Sequence, residues 1–221
     1  MEFDVFRDRK QAGQELAKLL GEFAARRDVL VLALPRGGIP VAYEVALALR
    51  APLDVLVVRK LGVPGREEYA MGAIASGGIQ VLDDDVTRGL HISAAAVDSV
   101  IRSERLELER RERLYRDGQP APDLRDRTVI LVDDGLATGS TMLAAVKAIH
   151  TQAPSKLVVA VPVAAKDACE SLRREADEVI CAATPSPFHA VGEWYEDFSQ
   201  TSDDEVCRLL KLARQRPSPA T

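Results

Sequence analysis

Two rhythms of apolar residues alternate along this chain. Short uninterrupted runs (Val29 to Leu34, Leu53 to Val58, Val129 to Val132, Leu157 to Val161 and Val179 to Ala182) are too brief for separate helices and suit strands buried on both faces. Between them apolar positions return at helical spacing. Leu16, Leu19, Leu20 and Phe23 predict a helix over about 9–26, and Val41, Val45 and Leu49 predict one beginning at Pro40. Further helices are expected at Leu143 to Ile149 and from about Lys166 to Arg174. Asp8 followed by Gln11 reads as the cap of the first helix. Alternating strands and helices predict an α/β fold, a mostly parallel sheet with helices on both faces. Ligands of such sheets bind beyond the carboxyl ends of the strands, where Pro35, Arg59 and Asp133 fall.

Two segments leave this rhythm. Ser93 to Arg116 predicts a long inserted helix, at about 93–117, with Val97, Ile101 and Leu108 as its apolar contacts. Its i,i+4 pairs Glu107 to Arg111, Glu109 to Arg113 and Glu112 to Arg116 suit a solvated face better than a dimerisation arm. Thr184 to Phe198 gathers Phe188, Trp194, Tyr195 and Phe198 into an aromatic stretch, read as a small C-terminal hood at about 183–202. Ser202-Asp-Asp-Glu205 then caps a terminal helix reaching about Arg214, and Pro217-Ser-Pro219 reads as a frayed tail. No repeat interrupts the pattern, and residues 1–221 are expected to form a single domain.

Composition narrows the function. With 34 Asp and Glu against 29 Lys and Arg, the net charge is -5. No global positive field attracts nucleic acid or an acidic membrane, so small-molecule chemistry is expected. The sequence shows neither the order of a signal peptide nor an apolar run long enough to span a bilayer, which predicts a cytoplasmic protein. Cys169, Cys181 and Cys207 lack Cys-x-x-Cys spacing and are expected to be reduced packing residues. Of the histidines, His189 alone, inside the aromatic stretch, is a candidate for substrate contact.

The chemistry concentrates between Val129 and Thr141. An apolar strand delivers two adjacent carboxylates, Asp133 and Asp134, to a loop of small and hydroxyl-bearing residues that opens a helix. At a helix start the backbone N–H groups and hydroxyls of Thr138, Gly139, Ser140 and Thr141 converge, and the helix dipole favours an anion there, as a phosphate monoester would be. Asp133 and Asp134 can accept hydrogen bonds from vicinal hydroxyls or hold a hydrated Mg²⁺. The stretch lacks the ending of a nucleotide-triphosphate P-loop and the glycine pattern of a dinucleotide fold. It is a site for a sugar phosphate.

Val-Asp-Asp-Gly-Leu-Ala-Thr-Gly-Ser-Thr resembles the phosphoribosyl pyrophosphate (PRPP) motif of type I phosphoribosyltransferases. The resemblance implies that Asp133 and Asp134 bind ribose hydroxyls and that Ala137 to Thr141 bind the 5-phosphate. It implies a pyrophosphate loop at Arg36, Gly37 and Gly38, after an early strand and often with a cis non-proline peptide. Arg59 and Lys60, at the end of the second strand, are expected to neutralise pyrophosphate, with Arg36, Arg59 and Lys60 as the catalytic cations. Leu61 to Tyr69 is expected to be a mobile lid or a hairpin loop, and Arg59-Lys-Leu-Gly62 followed by Val63-Pro-Gly65 resembles a segment of adenine phosphoribosyltransferases. Phe188, Trp194 and Tyr195 are the candidates for stacking on a base, against a plainer role as anchors of the hood. Ala137 stands where hypoxanthine-guanine enzymes carry an acidic residue, so that general base is absent here.

The implied activity is that of a glycosyltransferase of the pentosyl class. It is a Mg²⁺-dependent transfer of the 5-phosphoribosyl group from PRPP to a small nitrogenous base with release of pyrophosphate, as in nucleotide metabolism and nucleoside salvage. No nucleic-acid or membrane partner is expected, and homo-oligomerisation is left open. The rival reading is a regulator or sensor that binds PRPP without turning it over.

Overall fold

The computed structural model describes residues 5–216. The chain opens with helix α1 (Arg9–Leu19), and strand β1 (Val29–Ala33), helix α2 (Gly38–Leu49) and strand β2 (Leu53–Val55) follow. Strands β3 (Val58–Val63), β4 (Arg66–Ala75) and β5 (Ile79–Leu82) come next, then helices α3 (Asp84–Gly89) and α4 (Ala94–Arg116). The remainder is β6 (Thr128–Val132), α5 (Ser140–His150), β7 (Lys156–Val163), α6 (Lys166–Leu172), β8 (Glu178–Ala183) and α7 (Asp203–Arg214). The main sheet is wholly parallel, with five strands in the order β2-β1-β6-β7-β8.

Strand alternation explains the apolar runs. In β1, Val29, Val31 and Ala33 face a core shared with α1, α2 and α7, while Leu30 and Leu32 face the opposite core, shared with α5 and α6. β6 divides in the same way, with Ile130 and Val132 on one side and Val129 and Leu131 on the other. With no polar face left over, such strands lose the two-residue alternation of a half-exposed sheet.

The caps follow sequence logic. Asp8 accepts from the Gln11 amide at 2.7 Å, and the Gln11 side chain accepts from the Arg7 amide at 2.6 Å. Ser93 accepts from Ala96, and Ser202 from Glu205. α1 ends earlier than its periodicity predicts. Leu16, Leu20 and Phe23 are buried as expected, but Leu19 is exposed and Gly21 to Phe23 continue as a 3₁₀ turn. The expected tail at Pro217 to Pro219 lies outside the described residues.

Two expectations need correction. The run Leu53 to Val58 is not one strand: β2 stops at Val55, and Val58 begins a second, antiparallel sheet of order β3-β4-β5. Of the two alternatives for Leu61 to Tyr69 the hairpin is the one that forms, mostly as paired strand, turning at Pro64-Gly65 with Gly65 at φ 75°. This sheet packs on α5 and leaves between them a cavity of about 580 Å³ that reaches Ser140. Cys169 on α6 and Cys181 on β8 form a disulfide, whereas the sequence predicts three reduced cysteines; Cys207 alone remains a thiol. The helix and the strand lie side by side, and nothing in their apolar patterns marks the pairing.

α4 makes all three expected i,i+4 pairs, yet it is more than a solvated face. Arg116, 3% exposed, donates to Asp54 at 3.2 Å, Glu112 at 2.6 Å and the Val55 carbonyl at 2.6 Å, which ties the helix end to β2. At the start of β1, Arg26 and Thr128 donate to Asp28 at 2.6 and 2.7 Å. The Arg26 hydrogen bond first, then that of Thr128, holds the Asp28 carboxyl down from 3.8 to about 2. A depressed carboxylate contributes stability that is present above its ordinary value and is lost as pH falls through its folded value. Asp28→Asn is accordingly expected to flatten the fall in melting temperature between pH 4 and 2, and an unchanged acid limb would contradict the assignment. Among the described residues no helix is long and apolar enough to cross a membrane.

Candidate active site

β6 carries Asp133 and Asp134 out of the sheet beside the turn that follows β1. A Cβ on Gly37 would stand 2.0 Å from Asp134 Oδ2, and one on Gly38 would stand 2.9 Å from Asp133 Cα. These glycines are needed for close approach to the acidic pair. The Gly38 amide donates to the Leu34 carbonyl at 3.1 Å. The Pro35–Arg36 peptide is cis.

The two acids have different surroundings. Asp133 Oδ1 accepts from the Asp134 amide at 2.9 Å, and burial, reinforced by the neighbouring Asp134 charge, pushes the Asp133 carboxyl well above the ordinary range. Asp134 is also raised by burial, but the Arg9 guanidinium opposes this, donating from Nε to Oδ2 at 2.8 Å. The Tyr195 hydroxyl donates to the Asp134 carbonyl at 2.5 Å. Burial is the chief cause of its strongly raised phenol pKa.

Beyond the acids the loop is fixed at its base and open at its tip. The Leu136 amide donates to Val163 at 3.0 Å and its carbonyl accepts from Ala165 at 2.8 Å. Ala137, Thr138, Ser140 and Thr141 are exposed along the same rim, and Gly139 is half-buried. Gly139, at φ 72°, turns the chain into α5, a conformation that favours glycine. Thr138 Oγ1 lies 3.1 Å from Ser140 Oγ and accepts from the Ser140 amide at 3.4 Å. Hydroxyls thus cluster at a helix start whose cap residue supplies no side chain, the arrangement that suits an anion.

A profile described as phosphoribosyl transferase domain matches residues 7–197. The chain belongs to the phosphoribosyl transferase family. A Mycobacterium tuberculosis H37Rv protein provisionally named phosphoribosyl transferase is 49% identical over 211 residues, covering 96% of this chain and 47% of its own length. The protein of strain CDC 1551 with the same description matches equally. The chain thus spans about half the length of the curated relatives it matches. The crystal structure of TT1426 from Thermus thermophilus shares 41% identity and superposes with a TM-score of 0.85, covering 93% of this chain and 97% of that one. AQ2163 of Aquifex aeolicus, 12% identical with a TM-score of 0.50 over 83% of this chain and 78% of its own, shares the fold.

In this phosphoribosyl transferase domain the expected site residues separate into two groups. Gly37 and Gly38, next to Arg36, meet Asp134 and Asp133, and Ala137 to Thr141 follow directly. Arg59 and Lys60 do not end a parallel strand. They lie within β3, opposite Ile74 and Ala73, and Arg59 is engaged by Glu104 of α4 at 2.6 Å. In the hood, Phe188 and Trp194 stack at 6.2 Å between ring centroids. Tyr195 is an anchor instead of a stacking surface: its ring is buried against Phe6 and its hydroxyl is taken by Asp134. His189 is exposed.

Two residues in contact with the candidate site escape the sequence reading. Arg9 reaches Asp134 across 125 positions. Asp203, at the start of α7, accepts from Tyr115 at 2.6 Å and lies 3.9 Å from Arg36 Nη1. No local signal distinguishes either from other surface charges.

Proposed function

We propose that this domain moves the 5-phosphoribosyl group of PRPP to a nitrogen of a small nitrogenous base and releases pyrophosphate. The observation that carries this reading is the meeting of three features beyond the carboxyl ends of β1 and β6: the acidic pair, the open hydroxyl-rich start of α5 and the Arg36-Gly37-Gly38 turn. The 5-phosphate is assigned to Thr138 to Thr141, the ribose hydroxyls to Asp133 beside Asp134, and pyrophosphate to the Arg36 turn. The bond from C1 to the pyrophosphate oxygen breaks, its electron pair leaves with pyrophosphate, and a nitrogen lone pair forms the new C1–N bond. Arg36 lowers the barrier by facing the charge that grows on the leaving group. Ala137 provides no general base, so proton removal from the nucleophile is left to solvent or to the departing pyrophosphate. Phe188 and Trp194 offer the planar surface nearest in kind to a base.

Mg²⁺ fits this donor set. The described residues form no cluster of three or more metal-ligating side chains, but Mg²⁺ is commonly held by one or two carboxylates together with substrate oxygens. Asp133 would hold it, with Asp134 shared with Arg9. Bound there, the ion would neutralise charge on the pyrophosphate oxygens.

Incubation with PRPP and Mg²⁺ against a panel of purines, pyrimidines and nicotinate-like bases tests the proposal. Base-dependent pyrophosphate release is expected. Saturable stabilisation by PRPP without turnover would instead make the domain a sensor, and no PRPP effect of either kind would overturn the site assignment.

A further inference from the structure

Asp134 is held from three sides by parts of the chain far apart in sequence. Gly37 closes on its carboxylate, the Tyr195 hydroxyl takes its carbonyl, and Arg9 binds Oδ2. Arg9 does more than pair with an acid. Its Nη1 donates to the Ser199 carbonyl at 2.7 Å, and its guanidinium carbon lies 3.9 Å from the centroid of the Phe198 ring. Its side chain is 11% exposed and that of Asp134 15%. A planar fork with donors on two edges can serve a carboxylate, a carbonyl and an aromatic face together, which an ammonium cannot. The backbone reinforces the link, since Phe6 donates to Trp194 at 3.0 Å and accepts from Glu196 at 2.8 Å.

We propose that Arg9 is a positioning residue for the sugar-phosphate site: it fixes the Asp134 carboxylate against the Gly37 turn and couples that acid to the aromatic hood. The inference rests on the PRPP reading above. It divides the labour of the acidic pair, with Asp133 left to face the ligand and Asp134 setting the distance between the PRPP loop and the turn after β1. A hood that shifts then changes the shape of the ribose site, so occupancy of one is felt by the other.

A double-mutant cycle on the full chain tests this, with PRPP and Mg²⁺ titrated calorimetrically into wild type, Arg9→Gln, Asp134→Asn and the pair. Each single change is expected to weaken PRPP binding about tenfold, the loss of one charge-assisted contact. The double variant should be no weaker than the poorer single one. Arg9→Lys should fall between Arg9→Gln and wild type. In steady state the Arg9 change should appear in KM for PRPP more than in kcat. Trp194, the only tryptophan, reports the hood directly, and its emission in the ligand-free protein should shift in Arg9→Gln and Asp134→Asn alike. Independent, multiplying losses in the double variant, or unchanged PRPP affinity in Arg9→Gln despite a shifted emission, would overturn the proposal. If wild type fails to bind PRPP, the functional reading falls. The coupling is then judged on Trp194 emission and thermal unfolding, where simple additivity of the two changes would reject it.

Discussion

Asp133→Asn is expected to weaken PRPP binding about 100-fold, the scale of losing hydrogen bonds to a charged acceptor, while raising the melting temperature of the ligand-free protein. The two effects have one origin. Burial and the adjacent Asp134 charge disfavour the ionised Asp133 carboxylate in the folded chain and raise its pKa. A carboxyl so raised contributes stability that is present below its unfolded value and is lost as pH rises through the folded one, because the unfolded chain ionises first. Asn cannot ionise and keeps the oxygen that accepts from the Asp134 amide. The gain in melting temperature should therefore grow from pH 4 towards pH 8. Calorimetry at several pH values and a PRPP titration read both halves. A variant that binds PRPP as wild type does, or that melts lower at pH 8, would refute the account. Ligand-binding carboxylates of this kind are retained at the expense of stability.

Arg116→Leu should be the most damaging single change outside the site, with a loss of about 3 kcal/mol. The substitution keeps an apolar stem but leaves Asp54 and Glu112, with side chains 16% and 22% exposed, without their shared cation, and leaves the Val55 carbonyl without its donor. For a chain of this size that corresponds to a fall in melting temperature of about 9 °C. Because α4 would be released from β2, its amides should exchange faster in the variant than those of β6. A loss below about 1 kcal/mol would show that the network contributes no more than a surface pair.

What the sequence revealed depended on how local the cause was. β1, β6 and β7 were legible because burial on both faces leaves an unbroken apolar run. The acidic pair and the phosphate loop were legible because their parts are contiguous from Asp133 to Thr141. The second sheet was harder. β4 begins with Arg66 and Glu67, and the break between β2 and β3 falls inside the apolar stretch Leu53 to Val58, which drew Arg59 and Lys60 to the wrong strand. The Cys169–Cys181 bond joins a helix to a strand whose patterns call for nothing but packing. Arg9 and Asp203 were beyond reach because their meaning lies in partners brought close only by the finished fold. Tyr195 was visible as an aromatic, but its burial and its bond to the Asp134 carbonyl were not.

The contact between Arg9 and the Ser199 carbonyl spans 190 positions. Closing so large a loop is entropically slow and comes after local elements have formed. During synthesis the parallel strands can assemble around β1 and β6 while the pocket is still unfinished, since Ser199 leaves the ribosome after every strand of the sheet. A nascent chain halted before Ser199 would carry the acidic pair without the contact that steadies Asp134, and without α7, whose Val206, Leu209 and Leu210 complete one face of the core.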